Sequence, residues 1–403
     1  MKLSGFFITI LFACIVIIVP CQAASPDIQI SQQVPETIAG YISTDGTFIL
    51  FQSEKMGPEI LVYTAEGILS EKIPLSTETS KLDALAISGG RIYYSEYRSS
   101  EPAYWRNETV YEFSLTTGKK RTIYATTAPQ QRITRIASDG DHVVLRTGSN
   151  EQFIILHTLS NNSNRLIFTS RDSIHDLDIS GDHIVWGCER GDREPGREIH
   201  VYTISTGTDY IIPESKSDKT YGTVDISGNR VTWTMALHAP YWEEDGKYHG
   251  MRGSDIRIID LDTNITQSVE KNEGYSKSFI SGKNVVYMKR PASDSNEIVP
   301  ATIRYYNVLT GTASDLKNHV LNIDDFKGDL VIWDGEPRLS FFATTLNGTL
   351  PTDVSSEITQ STTPIPSVVP QKSSTPDSPV DPVVIVSALM CGVAGYALLK
   401  KSE

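Results

Sequence analysis

Short apolar runs, rich in Ile, Val, Tyr and Trp and separated by turn residues, fill the chain from about residue 35 to 348. One stretch shows the pattern whole: from His175 to Ile212 it reads HDLDISGDHIVWGCERGDREPGREIHVYTISTGTDYII. Four β-type runs lie in it: Asp176–Ser180, His183–Trp186, Glu198–Thr203 and Thr208–Ile212. Ser180-Gly181-Asp182 and Ser205-Thr206-Gly207 mark tight turns, and Gly187 to Arg197 is a long loop. Ile184 and Trp186 point to one face of the second run and Val185 to the other, so both faces carry apolar groups. A sheet like that must be covered on both sides.

The same unit recurs. Gly-x-x-(Val/Ile)-x-aromatic occurs at Gly181–Trp186, Gly228–Trp233, Gly282–Tyr287, Gly328–Trp333 and Gly89–Tyr94, and in weaker form at Gly46–Phe51 and Gly140–Leu145. A third-strand signature alternates with it: IHVYTISTG (Ile199–Gly207) matches VYEFSLTTG, IRYYNVLTG and IRIIDLDTN, and more loosely three further runs. The signature glycines stand 41 to 54 residues apart, the period of a four-stranded blade. These repeats predict an all-β, seven-bladed propeller over 27–349, with blades near 38–76, 82–126, 132–170, 174–214, 221–270, 276–316 and 320–349. The lone strand-like segment Asp27–Val34 is expected to complete the last blade and close the ring.

Both ends depart from this pattern. Residues 1–24 read as a secretory signal peptide, with Lys2 ahead of an apolar Gly5–Val19 core. Residues 350–382 are a Ser/Thr/Pro-rich stalk that lacks the apolar periodicity of a core. Residues 383–399 carry no charge and precede Lys400 and Lys401. As a helix they span about 26 Å, and the lysines place the 400–403 tail in the cytoplasm. The expectation is a single-pass protein with its propeller outside the cell.

A formal charge of −13 and the lack of a basic stripe exclude nucleic acid as the main partner. Cys188 is the only cysteine outside the apolar ends and reads as an ordinary thiol at a strand end. Sequons at Asn107, Asn161, Asn264 and Asn347 fall in expected loops or turns and are glycosylation candidates.

Candidate chemistry follows loop length. First-to-second and third-to-fourth turns are short, whereas second-to-third loops are long, and all long loops emerge on one face. Binding residues are placed there: Tyr104 and Trp105 in one loop, and His238, Tyr241, Trp242, Glu243, Tyr248 and His249 in the 234–255 loop. Aromatic groups beside carboxylates suit sugar stacking or a protein hot spot, and equally a lid over the channel. His238, Glu243, Glu244, Asp245 and His249 match no metal-site spacing. Arg190-Gly191-Asp192 sits in a charge run with Glu189, Arg193, Glu194 and Arg197 that reads as a solvated surface. Ser43-Thr44-Asp45-Gly46-Thr47 resembles a sialidase Asp-box, but its adjacent Asp and Gly break that pattern. No GxSxG, HExxH, P-loop or CxxC motif is present, and no metal or other cofactor is expected.

The ISGDHIVW…IHVYTISTGTDYII repeat resembles the TolB-type β-propeller repeats of cell-surface proteins in methanogenic archaea, over about 35–348. The resemblance implies a surface protein held by a C-terminal helix after a Thr/Pro-rich spacer. Its partners would be envelope protein or glycan, and it carries over no catalytic motif. The tail lacks a Pro-Gly-Phe sorting signature. A non-catalytic binding or scaffold module is the reading; an extracytoplasmic hydrolase or lyase on the long-loop face is the alternative.

Overall fold

A computed structural model describes residues 27–29, 41–52, 58–77, 80–98, 107–126, 131–148, 150–189, 197–215, 220–236, 243–244, 247–248, 253–272, 274, 276–291, 299–335 and 340–346. The signal, stalk, apolar tail and sequon Asn347 lie outside them. Within the described residues no helix is long and apolar enough to cross a membrane.

The alternating runs form antiparallel strands as their β-branched and aromatic content dictates. In repeat four the strands are Ile174–Ser180, His183–Glu189, Arg197–Thr203 and Thr208–Ile211, paired in that order. Equivalent four-stranded sheets occupy residues 41–74, 80–125, 132–170 and 220–272. Gly181 turns the first strand into the second at φ 55°, a left-handed conformation that costs glycine little.

The expected count of seven separate blades is corrected by the last sheet. There are six such sheets, five of four strands and one of seven. The seven-stranded sheet arises because Thr312–Lys327 runs unbroken where a boundary between repeats six and seven was expected. Its first half pairs with Ala301–Asn307 and its second with Leu330–Gly335. The segment TASDLKNHVLNIDDFK has no Gly or Pro to end a strand. It bends instead at His319, φ 60°, and through bulges at Val320/Asn322 and Ile323/Asp325. At the sheet's far edge Ile28–Gln29 pairs with Ser340–Thr345, joining Ile28 to Ala343, as the ring-closing reading requires.

Apolar clusters fill the spaces between neighbouring repeats. Ile184 and Trp186 pack toward repeat three on Val144 and Ile154, while Val185 packs toward repeat five on Val231 and Trp233. Ile49 and Tyr63 of repeat one meet Ile332 and Ala343 of repeat seven, which completes the circle. Each sheet is thus the cover that its neighbours' exposed faces demand.

Polar straps add register. Gly228 N–H donates to Ser180 Oγ at 2.9 Å, Gly282 N–H to Ser227 Oγ at 2.8 Å and Gly328 N–H to Ser281 Oγ at 2.8 Å. Gly181 N–H donates to Asp139 Oδ2 at 2.6 Å, and Gly90 N–H to Asp45 Oδ2 at 3.3 Å. In these five cases the residue before the turn glycine therefore holds the turn of the next repeat. Asp45 also accepts from Thr47 and Phe48 N–H through Oδ1, which gives the Asp-box-like segment a structural role.

Candidate functional site

The first strand of each repeat lines the central channel. Three repeats place an aspartate three positions before the turn glycine: Asp178, Asp225 and Asp325. Each accepts the backbone N–H of the next repeat's inner strand, from Ile226 at 3.4 Å, Ile280 at 2.7 Å and Thr44 at 2.8 Å respectively. In repeat seven Lys327 replaces the Ser or Asp that precedes the turn glycine in repeats one to six. Its Nζ lies 3.2 Å from Asp178 Oδ2. Repeats five and six separate these residues on one side of the ring, and repeats one to three on the other, so the ion pair crosses the channel near its short-turn end.

Burial works against the charges here, and the pairing decides them. Burial pushes the Asp225 carboxyl well up, helped by Asp178 beside it. Asp178, although buried, is held low by Lys327 and by the Asp225 hydrogen bond. The three aspartates raise the Lys327 ammonium against the cost of its partial burial. Among the described residues no group of three His, Cys, Asp or Glu is arranged to hold a metal.

The long-loop end of the channel is built differently. In repeat four His175 Nε2 meets Glu189 Oε1 at 2.7 Å. Burial and Arg197 lower the imidazole's pKa against the pull of Glu189. The next residue, Asp176, has φ 45° at a bulge that shifts register between His175 and Asp178. Arg197 Nη1 lies 3.8 Å from Asp176 Oδ2. Arg146 of repeat three donates from Nη1 to the Ile174 carbonyl at 2.7 Å and from Nε to Thr134 Oγ1 at 2.8 Å. Arg135 stands directly opposite Arg146 in the strand pair and is exposed. Sequence reasoning read Arg197 and Glu189 as a solvated run and missed the cluster, which inter-repeat packing assembles from five strands.

The other predicted site residues are less visible. Tyr104, Trp105, His238, Tyr241, Trp242 and His249 lie outside the described residues. Glu243–Glu244 and Lys247–Tyr248 form a two-stranded hairpin in the long loop of repeat five. Asn107, Asn161 and Asn264 are exposed, the last two in third-to-fourth turns. Asn107 also borders a cleft of about 250 Å³ with Ser76, Ser80, Glu96, Arg98 and Tyr111. There Glu96 accepts from Ser76 N–H at 2.7 Å and from Lys120 Nζ at 3.2 Å, so the cleft's acid already has its base. Cys188 is buried, which pushes its thiol pKa up, and it contacts Ser170 Oγ at 3.6 Å.

No protein-family model matches the chain, and no curated protein sequence matches it. Solved structures do. One of a pair of prolyl endopeptidases aligns at TM-score 0.52 and 16% identity, over 75% of this chain and 46% of that one. A chain of the mitotic checkpoint complex aligns at TM-score 0.50 and 9% identity, over 86% of this chain and 99% of that one. TolB from Acinetobacter baumannii aligns at 0.40 and 16%, over 70% and 65%, a score on which no argument rests. The chain spans 39% of the tricorn protease chain and 46% of the endopeptidase chain. At these identities the likeness bears on the fold alone, an all-β propeller of four-stranded antiparallel blades.

Proposed function

We propose that the chain is a non-catalytic binding or scaffold module, held outside the cell by its C-terminal apolar segment and engaging envelope protein or glycan on its long-loop face. One observation carries this reading: the two ends of the ring differ. The short-turn end is strapped repeat to repeat and crossed by Lys327–Asp178. The long-loop end presents charged side chains from several strands, and by sequence Trp105 and Trp242 fall in second-to-third loops. Recognition groups on loops above a rigid scaffold are the usual arrangement for binding.

A pull-down of envelope fractions on residues 25–350, beside Trp242→Ala and Trp105→Ala, with and without EDTA, tests it. Material retained by the wild type and lost in the variants is the expected result. Equal retention by all three, or none by any, overturns the long-loop assignment.

The His175–Glu189 pair favours one second reading, a hydrolase or lyase. A carboxylate that fixes the imidazole tautomer is how a general base is commonly oriented. Turnover of polysaccharide or peptide substrates by the wild type and not by His175→Gln would establish it; equal rates would remove it.

A further inference from the structure

We propose that Asn264 carries an N-linked glycan and that its first sugars lie in the cleft between repeats five and six, at the short-turn end of the ring. This rests on the extracellular reading above and goes beyond it, naming a modification site and the surface that receives it.

The turn places the acceptor. In the third-to-fourth turns of repeats two, four and six the left-handed position is held by glycine: Gly118, Gly207 and Gly311, at φ 63°, 71° and 69°. Repeat five puts Asn264 there, at φ 54°, a side chain that tolerates this conformation. Asn264-Ile265-Thr266 is a sequon, and its Asn is exposed. The Asn264 carboxamide makes no hydrogen bond among the described residues. Asn161 Oδ1, by contrast, already accepts from the Ser163 N–H at 3.1 Å and hydroxyl at 2.6 Å. Attachment joins Asn264 Nδ2 to the anomeric carbon of a lipid-phosphate-linked oligosaccharide, brought by the cell's transferase. The bond from that carbon to the phosphate oxygen breaks, the lipid phosphate leaves with the bonding pair, and one amide proton passes to solvent.

The cleft begins at the acceptor's own turn. It measures about 290 Å³, and Arg230, Asp260, Thr263, Ile265, Gln267 and Leu309 are on its walls. Ile265 is 65% exposed and Leu309 69%, the two most exposed large apolar side chains among the described residues, and both border this one cleft. Asn307 Oδ1 accepts from Leu309 N–H at 3.0 Å and Thr310 N–H at 3.2 Å, which fixes the turn that carries Leu309. Asp260 Oδ1 accepts from Thr263 N–H and Oγ1, both at 3.2 Å, and Arg230 Nε lies 3.4 Å from Asp260 Oδ2. The Gln267 carboxamide makes no hydrogen bond among the described residues. A sugar ring has apolar C–H faces and hydroxyl edges, and aliphatic walls with a few placed polar groups match both. A glycan seated there covers apolar surface that otherwise meets water, and it leaves the long-loop end clear.

The test is mass spectrometry of the full chain purified from the membranes of its native cells. Trypsin cuts after Arg257 and Lys271 and frees peptide 258–271 with this one sequon. The peptide should carry a glycan mass. Asn264→Gly, which installs the turn residue of the other repeats, should lose it. So should Thr266→Ala, which breaks no hydrogen bond because the Thr266 hydroxyl is buried without a partner. Thermal melts read the seating. Glycosylated wild type should melt about 2 °C above Thr266→Ala, after subtracting the gap between the same two chains made in a host that lacks N-glycosylation. In a Leu309→Ser background of equal occupancy that gap should vanish. An unmodified peptide overturns the proposal, and a gap undiminished by Leu309→Ser overturns the seat. Protease treatment of intact cells separates the two readings. Release of the ring by cleavage within 350–382, with an unmodified peptide, leaves the surface reading standing without its glycan; no release removes both.

Discussion

Glu108 shows how one residue sets a pH response. It is wholly buried between repeats two and three and accepts the Ile133 N–H at 2.7 Å. Burial, reinforced by Asp83, pushes its carboxyl up to about 8. The folded chain therefore keeps a proton that the unfolded chain releases near pH 4.5. Between those values the unfolded state binds fewer protons, so stability falls as pH rises through the window and levels off above it. Glu108→Gln retains the acceptor and removes the ionisation. Its melting temperature at pH 8 should exceed the wild type's by about 2 °C or more, and the difference should shrink at pH 5. Thermal melts across pH 5–9 decide this. Glu108 was invisible to pattern reasoning because its partners come from the inner strands of two repeats: Asp83, and Arg132 with the Ile133 N–H.

At the scale of elements, the repeat's Ser-Gly pair has two functions, and only one was legible. Local rules read it as turn chemistry. The structure adds a strap, since Ser180 and Ser227 each accept from the turn glycine of the next repeat. Ser180→Ala and Ser227→Ala should each cost about 1 kcal/mol, near-additively in the double variant, as read by denaturant melts. The N-terminal strand belongs to this scale too. Ile28 and Gln29 complete the edge of the seven-stranded sheet, and Lys317 Nζ reaches Asp27 there. Deleting residues 27–34 should lower the melting temperature sharply; an unchanged value would mean the ring closes without them. The merger of repeats six and seven was not legible, because the repeat signatures on either side are intact. What changes is the link between them, where bulges and a bend at His319 take the place of a loop.

At the scale of the whole molecule, Lys327 ties one side of the ring to the other. Its removal takes away the counter-ion that Asp178, Asp225 and Asp325 share. The lysine side chain is 34% exposed, so solvent screens the pair. Lys327→Met should therefore cost on the order of 2 kcal/mol at pH 7, less than a dry buried pair loses. The cost should diminish toward pH 4, as the aspartates take up protons. Equal destabilisation at both pH values would show that the lysine acts by packing instead.

The sequence by itself determined the all-β class, the four-stranded unit, its repetition and an N-terminal strand at the edge of the last sheet, seen at Ile28–Gln29. These follow from alternation along single strands and from turn residues at fixed offsets, both local properties. Tertiary structure decided the number of separate sheets, the inter-repeat straps, the channel-crossing pair and the arginine cluster. Each depends on residues far apart in the chain, Lys327 and Asp178 most of all, which meet only when the ring closes. No local period encodes which side chains the closure brings together.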